Sequence, residues 1–167
     1  RSSARTMHDL RGALERRELF LQFQPKIDAK SLLITAAEAL VRWRHPQTGL
    51  VSPDRFIPLA EQYGLIEPIG RWVIEEACRQ AAAWREKGMR MRIAVNISGD
   101  QLRQADFCDH LTGCLRQHGI PPERFTCEIT ESIAMADTEV TRAAFEQLRS
   151  LGVHVSIDDF GTGHSSL

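Results

Sequence analysis

The sequence predicts an α/β protein in which helices cover a parallel sheet or barrel that begins with an antiparallel pair of strands. Strand-like and helix-like segments alternate from residue 91 onward, an order typical of parallel sheets. Before them, a short turn joins two strand-like segments, as in an antiparallel pair. Hydrophobic residues make up 43% of the 167 residues, and no linker or repeat divides the chain. One domain over residues 1–167 is therefore expected.

The predicted elements follow from local patterns. Leucines four residues apart predict a short amphipathic helix over residues 7–17. Two strands flank a turn at residues 28–31, and Pro-containing starts at residues 52–54 and 67–68 open two helices, of which Gly88 ends the second. The predicted strands are residues 19–27, 32–43, 91–97, 125–130 and 153–158, and the later helices are residues 105–118 and 137–151.

The composition excludes several classes of protein. The 21 basic and 22 acidic residues nearly balance, so neither a nucleic-acid polymer nor a membrane surface is an expected partner. No apolar segment approaches the roughly 18 residues of a membrane span, and a cytoplasmic location is expected. The four cysteines lack a CxxC pair, so buried free thiols are expected rather than a disulfide or a metal site.

Polar residues recur on one face of the predicted strands. Side chains alternate between the two faces of a strand, and Asn96, Glu128 and Asp158 all oppose the aliphatic positions that meet the helices. They stand at or near the carboxyl ends of successive strands, about one β-α-β unit apart. Glu38 shares this inward parity in the second strand, and Asp159 adjoins Asp158. These side chains are expected to converge at one mouth.

The converging side chains predict a metal site. Clustered carboxylates repel one another unless a cation neutralises them. The donors are all oxygens, which favours Mg²⁺ or Mn²⁺, and adjacent aspartates could serve two ions. Arg42, on the same face as Glu38, is a candidate phosphate ligand, and an ion pair with Glu38 is the alternative. Each residue alone is more often a cap, a turn residue or an ion-pair partner.

Six segments give the sequence a family likeness. They are QFQP, AEALVRWRHP, FIPLAEQYGLI, AVNIS, CEITES and DDFGTGHSSL. Together they resemble EAL domains, bacterial phosphodiesterases specific for cyclic di-GMP. The resemblance spans the whole chain and implies a modified TIM (β/α)8 barrel, here truncated to about five strands.

The resemblance implies hydrolysis of cyclic di-GMP to linear pGpG with two Mg²⁺ or Mn²⁺ ions, and it implies a role for each matching residue. The implied metal ligands are Glu38, Asn96, Glu128, Asp158 and Asp159; Asp159 and Glu38 are implied catalytic residues; Gln24, Leu40 and Arg42 are implied substrate contacts; Glu131 is implied to stabilise the loop after Asp159. His164 stands where the family often has tyrosine.

The sequence also departs from the family pattern. A lysine of a KID-type motif, a further metal-binding glutamate and a later glutamine have no counterpart here, and such a barrel needs about 250 residues. The domain is therefore expected to be incomplete at its C-terminus and inactive by itself. The expected parent is fused to an upstream sensory or GGDEF-type domain. The alternative is a degenerate EAL domain that acts as a cyclic di-GMP receptor or a homodimerisation scaffold.

Overall fold

The chain folds into one mixed sheet with helices packed against it. The computed structural model describes residues 2–136 and 138–157. In these residues the sheet has six strands in the order β1-β2-β4-β5-β6, with β3 paired to β2 off this path. The strands are β1 Leu19–Ile27, β2 Ile34–His45, β3 Gly49–Val51, β4 Arg92–Asn96, β5 Phe125–Ile129 and β6 His154–Ile157.

Helices fill the connections between the strands. The described helices are α1 Ser3–Arg11, α2 Pro53–Gln62, α3 Ile66–Glu86, α4 Gly99–Leu102, α5 Phe107–His118, α6 Glu131–Met135 and α7 Glu139–Leu151, with a 3₁₀ turn at Pro122–Arg124. Gly119 and Gly152 end α5 and α7 in the left-handed conformation that glycine adopts without strain. This order confirms the α/β fold class.

Strand pairing confirms the predicted topology. β1 and β2 are antiparallel, with Leu19 opposite Trp43 and Gln24 opposite Glu38. β2, β4, β5 and β6 are mutually parallel neighbours. Their carboxyl ends therefore lie along the same edge of the sheet.

The hydrophobic core lies on the face of the sheet that the helices cover, which we call the outer face. Val41 and Trp43 of β2 point to this face and are almost fully buried. Trp43 meets Phe56 of α2 edge to face, with 5.6 Å between the ring centroids. Burying a side chain of this size stabilises the fold by about 1.5–3 kcal/mol. The opposite, inner face carries the polar residues, including Glu38 and Arg42.

A close contact between α3 and α4 positions the segment that follows β4. The Ser98 side chain accepts from Gln101 N, and the Gln101 side chain accepts from Ser98 N, which together form a capping box. The Gln101 side chain is fully buried and lies against Gly70 of α3, where a Cβ atom would overlap it. Glycine at position 70 therefore allows α3 to approach this cap.

The element boundaries differ from the sequence prediction at several points. The first helix covers Ser3–Arg11, not residues 7–17, because Ser2 caps its start by accepting from Arg5 N. The chain then turns, with Arg17 at φ 58°, before β1 begins. β2 begins at Ile34 and extends to His45, and the short elements β3, α4 and α6 were not predicted. The last predicted strand reaches residue 158, which lies outside the described residues.

Candidate functional site

Three of the predicted ligands meet on the inner face. Asn96 Nδ2 donates to Glu38 Oε2 at 3.2 Å, which joins β2 to β4. Asn96 lies opposite Glu128 in the β4–β5 register, which places the two at the same level of the sheet. The predicted convergence of Glu38, Asn96 and Glu128 is thus present in the structure, and we call these residues the strand-end cluster.

Burial makes this cluster sensitive to charge. Asn96 is 4% exposed, and the Glu128 side chain is 14% exposed. Burial, the larger cause, and the neighbouring Glu38 carboxyl group together raise the pKa of Glu128 to about 7, although the ammonium group of Lys26 opposes the shift. At neutral pH the pocket therefore holds a carboxyl group poised between its two charge states.

The strand-end cluster fits a hard divalent cation. Among the described residues, Glu128 Oε1 is buried and has no hydrogen-bond partner. A buried carboxylate oxygen without a partner is costly, and a cation would satisfy it. The donors of Glu38, Asn96 and Glu128 include the oxygen ligands that Mg²⁺ and Mn²⁺ prefer. Binding through the Asn96 amide oxygen requires the amide to turn from its present contact with Glu38.

Lys26 belongs to the site and was missed by the sequence analysis. Its Nζ lies 3.0 Å from Glu128 Oε2, although the two residues are 102 positions apart in the chain. The available signal was strand parity, because Lys26 follows Gln24 by two residues and so shares its face. Lys26 places a positive charge beside Glu128 Oε2, whereas Oε1 is the oxygen without a partner among the described residues.

The predicted substrate contacts lie along β1 and β2. Gln24 is exposed and sits opposite Glu38, while Leu40 is half-buried between Glu38 and Arg42 on the same face. Arg42 donates from Nε to Gln22 Oε1 at 2.9 Å and from Nη1 to the Val41 carbonyl at 2.9 Å. Arg42 is therefore oriented by Gln22, a residue not predicted, and makes no ion pair with Glu38.

The remaining predicted site residues are not brought together by the described structure. Asp158 and Asp159 lie outside the described residues, as does the loop that Glu131 is predicted to stabilise. Glu131 begins α6, directly after its N-cap Thr130, and is half-buried. The roles of these three residues stay predictions.

A second group of side chains that could bind a metal ion lies on helices α3 and α5. Glu75, His110 and Cys114 bring their ligand atoms within 4.8 Å of one another. The group occupies α3 and α5 and shares no residue with the strand-end cluster. All four cysteines are buried free thiols, as expected from the sequence.

Comparison with known proteins identifies the family. The sequence model of the EAL domain matches residues 7–167. The chain belongs to the EAL domain family. Two similar curated proteins are named as enzymes of cyclic di-GMP turnover. The bifunctional diguanylate cyclase/cyclic di-GMP phosphodiesterase MucR of Pseudomonas aeruginosa is 49% identical over 162 residues, which are 96% of this chain and 24% of the relative. The cyclic di-GMP phosphodiesterase PdeR of Escherichia coli is 43% identical over 159 residues, which are 95% of this chain and 24% of the relative.

Solved EAL structures share the fold. The P. aeruginosa MucR phosphodiesterase in complex with c-di-GMP matches with a TM-score of 0.89 and 48% identity, covering 97% of this chain and 66% of that one. The EAL enzyme Bd1971, bound to cAMP and cyclic di-GMP, matches with a TM-score of 0.88 and 35% identity, covering 96% and 45%. This EAL chain thus spans about a quarter of the length of the two curated relatives. Over its described residues, no helix combines the length and apolarity that crossing a bilayer requires.

Proposed function

We propose that this EAL chain is part of a phosphodiesterase that hydrolyses cyclic di-GMP to linear pGpG with Mg²⁺ or Mn²⁺. The observation that carries the proposal is the strand-end cluster, in which Glu38, Asn96 and Glu128 meet and Glu128 Oε1 has no described partner. Family membership supports the substrate, because relatives named for this activity are 43–49% identical to the chain.

The residues of the inner face divide the work. Glu38, Asn96 and Glu128, together with Asp158 and Asp159, would hold two ions. When bound, the ions supply the Lewis acidity that in-line displacement at phosphorus requires. Arg42, whose guanidinium is oriented by Gln22, binds a phosphate oxygen of the substrate, and Gln24 and Leu40 contact the nucleotide. Asp159 positions the attacking water, and Glu131 holds the loop that follows it.

The parent protein is the setting for this reaction. We place it in the cytoplasm, fused to an upstream sensory or GGDEF-type domain and capable of forming a homodimer. The MucR relative, whose name joins a cyclase to a phosphodiesterase, supports such a fusion. The 167-residue chain alone is expected to turn over little substrate, because it spans only 66% of the solved MucR phosphodiesterase chain.

The test uses the parent protein and measures pGpG formation from cyclic di-GMP in Mn²⁺. Glu38→Gln and Glu128→Gln are expected to lower kcat by about two orders of magnitude or more, since each removes charge from the site. Glu86→Gln, at the exposed end of α3, is the matched control and should leave kcat unchanged. Full activity of both cluster variants would contradict the proposal.

A binding titration by calorimetry, followed by an activity assay, distinguishes a phosphodiesterase from a non-hydrolysing receptor. Cyclic di-GMP is titrated into the parent protein with Ca²⁺, and turnover is then measured with Mn²⁺. Binding followed by pGpG formation supports the phosphodiesterase. Binding without turnover would identify a degenerate receptor instead. Measurable turnover by the 167-residue chain would contradict its expected inactivity.

A further inference from the structure

Three side chains that can bind metal through oxygen, nitrogen and sulfur meet between helices α3 and α5, away from the strands. His110 Nε2 lies 2.9 Å from Glu75 Oε2 and 3.6 Å from Cys114 Sγ. All three ligand atoms lie within 4.8 Å of one another. We infer that Glu75, His110 and Cys114 form a zinc site that is separate from the strand-end cluster.

The sequence explains why these atoms converge. His110 and Cys114 are four residues apart on α5, so their side chains lie on the same face of that helix. Glu75 comes from α3, which packs against α5. Side chains on two packed helices are held more firmly than side chains on loops. The site is therefore built on the rigid part of the domain.

The distances agree with tetrahedral zinc. Given the usual Zn–N and Zn–S lengths, the nitrogen and sulfur ligands of one ion lie about 3.5 Å apart. The Nε2–Sγ distance of 3.6 Å already matches this geometry. The Nε2–Oε2 distance of 2.9 Å must open by about half an ångström, to the roughly 3.4 Å of a zinc-bound pair. Glu75 can move by this amount because its side chain is 53% exposed.

The burial pattern favours a bound ion over a simple surface ion pair. Cys114 is 7% exposed and the His110 side chain is 10% exposed, so both are held inside the helix interface. Glu75 lies on the solvent side of the group, from which water can supply a fourth ligand. A borderline-soft ion is the one that accepts sulfur, nitrogen and oxygen together.

Two features set the strength of binding. His110 Nδ1 is buried and has no partner among the described residues, so no acceptor holds the ring proton on Nδ1 when Nε2 binds the ion. Zinc-binding histidines usually have such a partner, and its loss lowers affinity about 10- to 100-fold. Burial raises the pKa of the Cys114 thiol, with Glu75 adding to the shift, and the ion must displace that proton. The site is thus weaker than a structural zinc finger.

The test titrates the chelator-treated chain with Co²⁺ and follows the thiolate-to-cobalt charge-transfer absorption. This band reports sulfur ligation, so ions at the oxygen-rich strand-end cluster do not produce it. The band is expected in the native chain and in a Glu38→Gln, Glu128→Gln double variant, and Zn²⁺ should abolish it by displacement. Absence of the band in the native chain would overturn the inference.

Variants identify the ligands. Cys114→Ser should abolish the band, and His110→Gln should weaken Co²⁺ binding at least tenfold. Cys108→Ser, at a buried thiol on the same helix, and His8→Gln, at an exposed histidine of α1, are the matched controls and should retain the band. Equal loss in the Cys108 variant would reject Cys114 as the ligand.

If Cys114→Ser or His110→Gln unfolds the chain, Glu75→Gln still tests the site, because it changes an exposed side chain. Glu75 is exposed, so this variant should keep the native circular dichroism spectrum. It should nevertheless weaken Co²⁺ binding about tenfold, because a charged ligand has been removed. Unchanged affinity with a native spectrum would rule out the three-ligand site.

Discussion

At the level of single residues, strand parity predicts which side chains lie on the inner face, but it does not predict all of their contacts. Glu38, Asn96 and Glu128 were predictable because side chains alternate with period two and parallel strands end at the same edge. Strand parity also places Lys26 on this face, but it does not predict the contact with Glu128, because β2 and β4 lie between β1 and β5 in the sheet. The Gln22 contact with Arg42 depends likewise on the β1–β2 register.

The raised pKa of Glu128 predicts that this residue lowers the free energy of unfolding of the metal-free chain as pH rises. The folded-state pKa of about 7 exceeds the ordinary value of 4.5, so the folded state retains this proton as pH rises and the unfolded state loses it. The contribution of Glu128 to stability therefore falls between pH 4.5 and pH 7. Glu128→Gln should remove the cost, which is about 1–2 kcal/mol after allowance for solvent screening.

Urea unfolding of both chains at pH 5 and pH 8, in chelator, measures this cost. The stability of the Gln variant relative to the native chain should rise between the two pH values. Titrations of groups that do not contact Glu128 are common to both proteins and cancel in the difference. An unchanged difference across this range would show that Glu128 does not titrate as described.

Lys26 predicts an effect on metal affinity. Its ammonium group occupies Glu128 Oε2 and places positive charge beside the expected ion. Lys26→Met should therefore tighten Mn²⁺ binding about two- to fivefold, as expected for the loss of one partly exposed charge pair. Equilibrium dialysis measures the affinity. Lys30→Met, in the exposed turn after β1, is the control, and weaker binding by the Lys26 variant would contradict the competition.

Among the elements, the longer ones were predictable and the short ones were not. α3 and α5 carry several turns of apolar periodicity, which is enough to identify a helix. β3 and α4 have only three and four residues, too few for any period to appear. The predicted range of α1 lay too far toward the C-terminus, because the prediction followed the leucine spacing and not the N-cap at Ser2. Local side-chain caps thus decided boundaries that hydrophobic patterning could not.

The α3–α4 contact predicts opposite effects for two glycine substitutions. In Gly70→Ala the new Cβ would overlap the Gln101 side chain, which the capping box holds in place. A loss of about 1–3 kcal/mol is expected from such overpacking. Gly113→Ala, in the interior of α5 with open space around it, is the matched control and should stabilise the chain by about 0.5–1 kcal/mol.

Thermal and urea unfolding of the two glycine variants provide the comparison. The Gly70 variant should unfold earlier than the native chain and the Gly113 variant later. Similar stabilisation by both substitutions would mean that α3 and α4 have room to separate without loss.

For the whole molecule, the fold class followed from the order of the elements, and the extent of the sheet did not. The β-α-β alternation predicted the parallel strands, and the short turn predicted the antiparallel start. Which strands stand at the ends of the sheet emerges only from the pairing, where β1 and β6 each have one strand partner among the described residues. Val155 and Ile157 of β6 are 37% and 56% exposed.

The accessible side of β6 predicts self-association of the 167-residue chain. A strand with unpaired backbone groups and exposed aliphatic side chains pairs readily with a second copy. Sedimentation velocity over a concentration series should show a monomer–dimer equilibrium that Ile157→Lys shifts to monomer. Val140→Lys, at an equally exposed position on α7, is the control. A native chain that is monomeric at every concentration would contradict the pairing.

Trp43 gives the chain an internal optical reporter. Its side chain is 1% exposed, and its indole N–H donates to Glu18 Oε1 at 3.0 Å while its ring contacts Phe56. Trp72 and Trp84 are only partly buried, so a variant with phenylalanine at both positions would leave Trp43 as the sole tryptophan. Separation of α2 from the sheet would then appear as a red shift in fluorescence, a signal that reports on the outer face independently of the inner face.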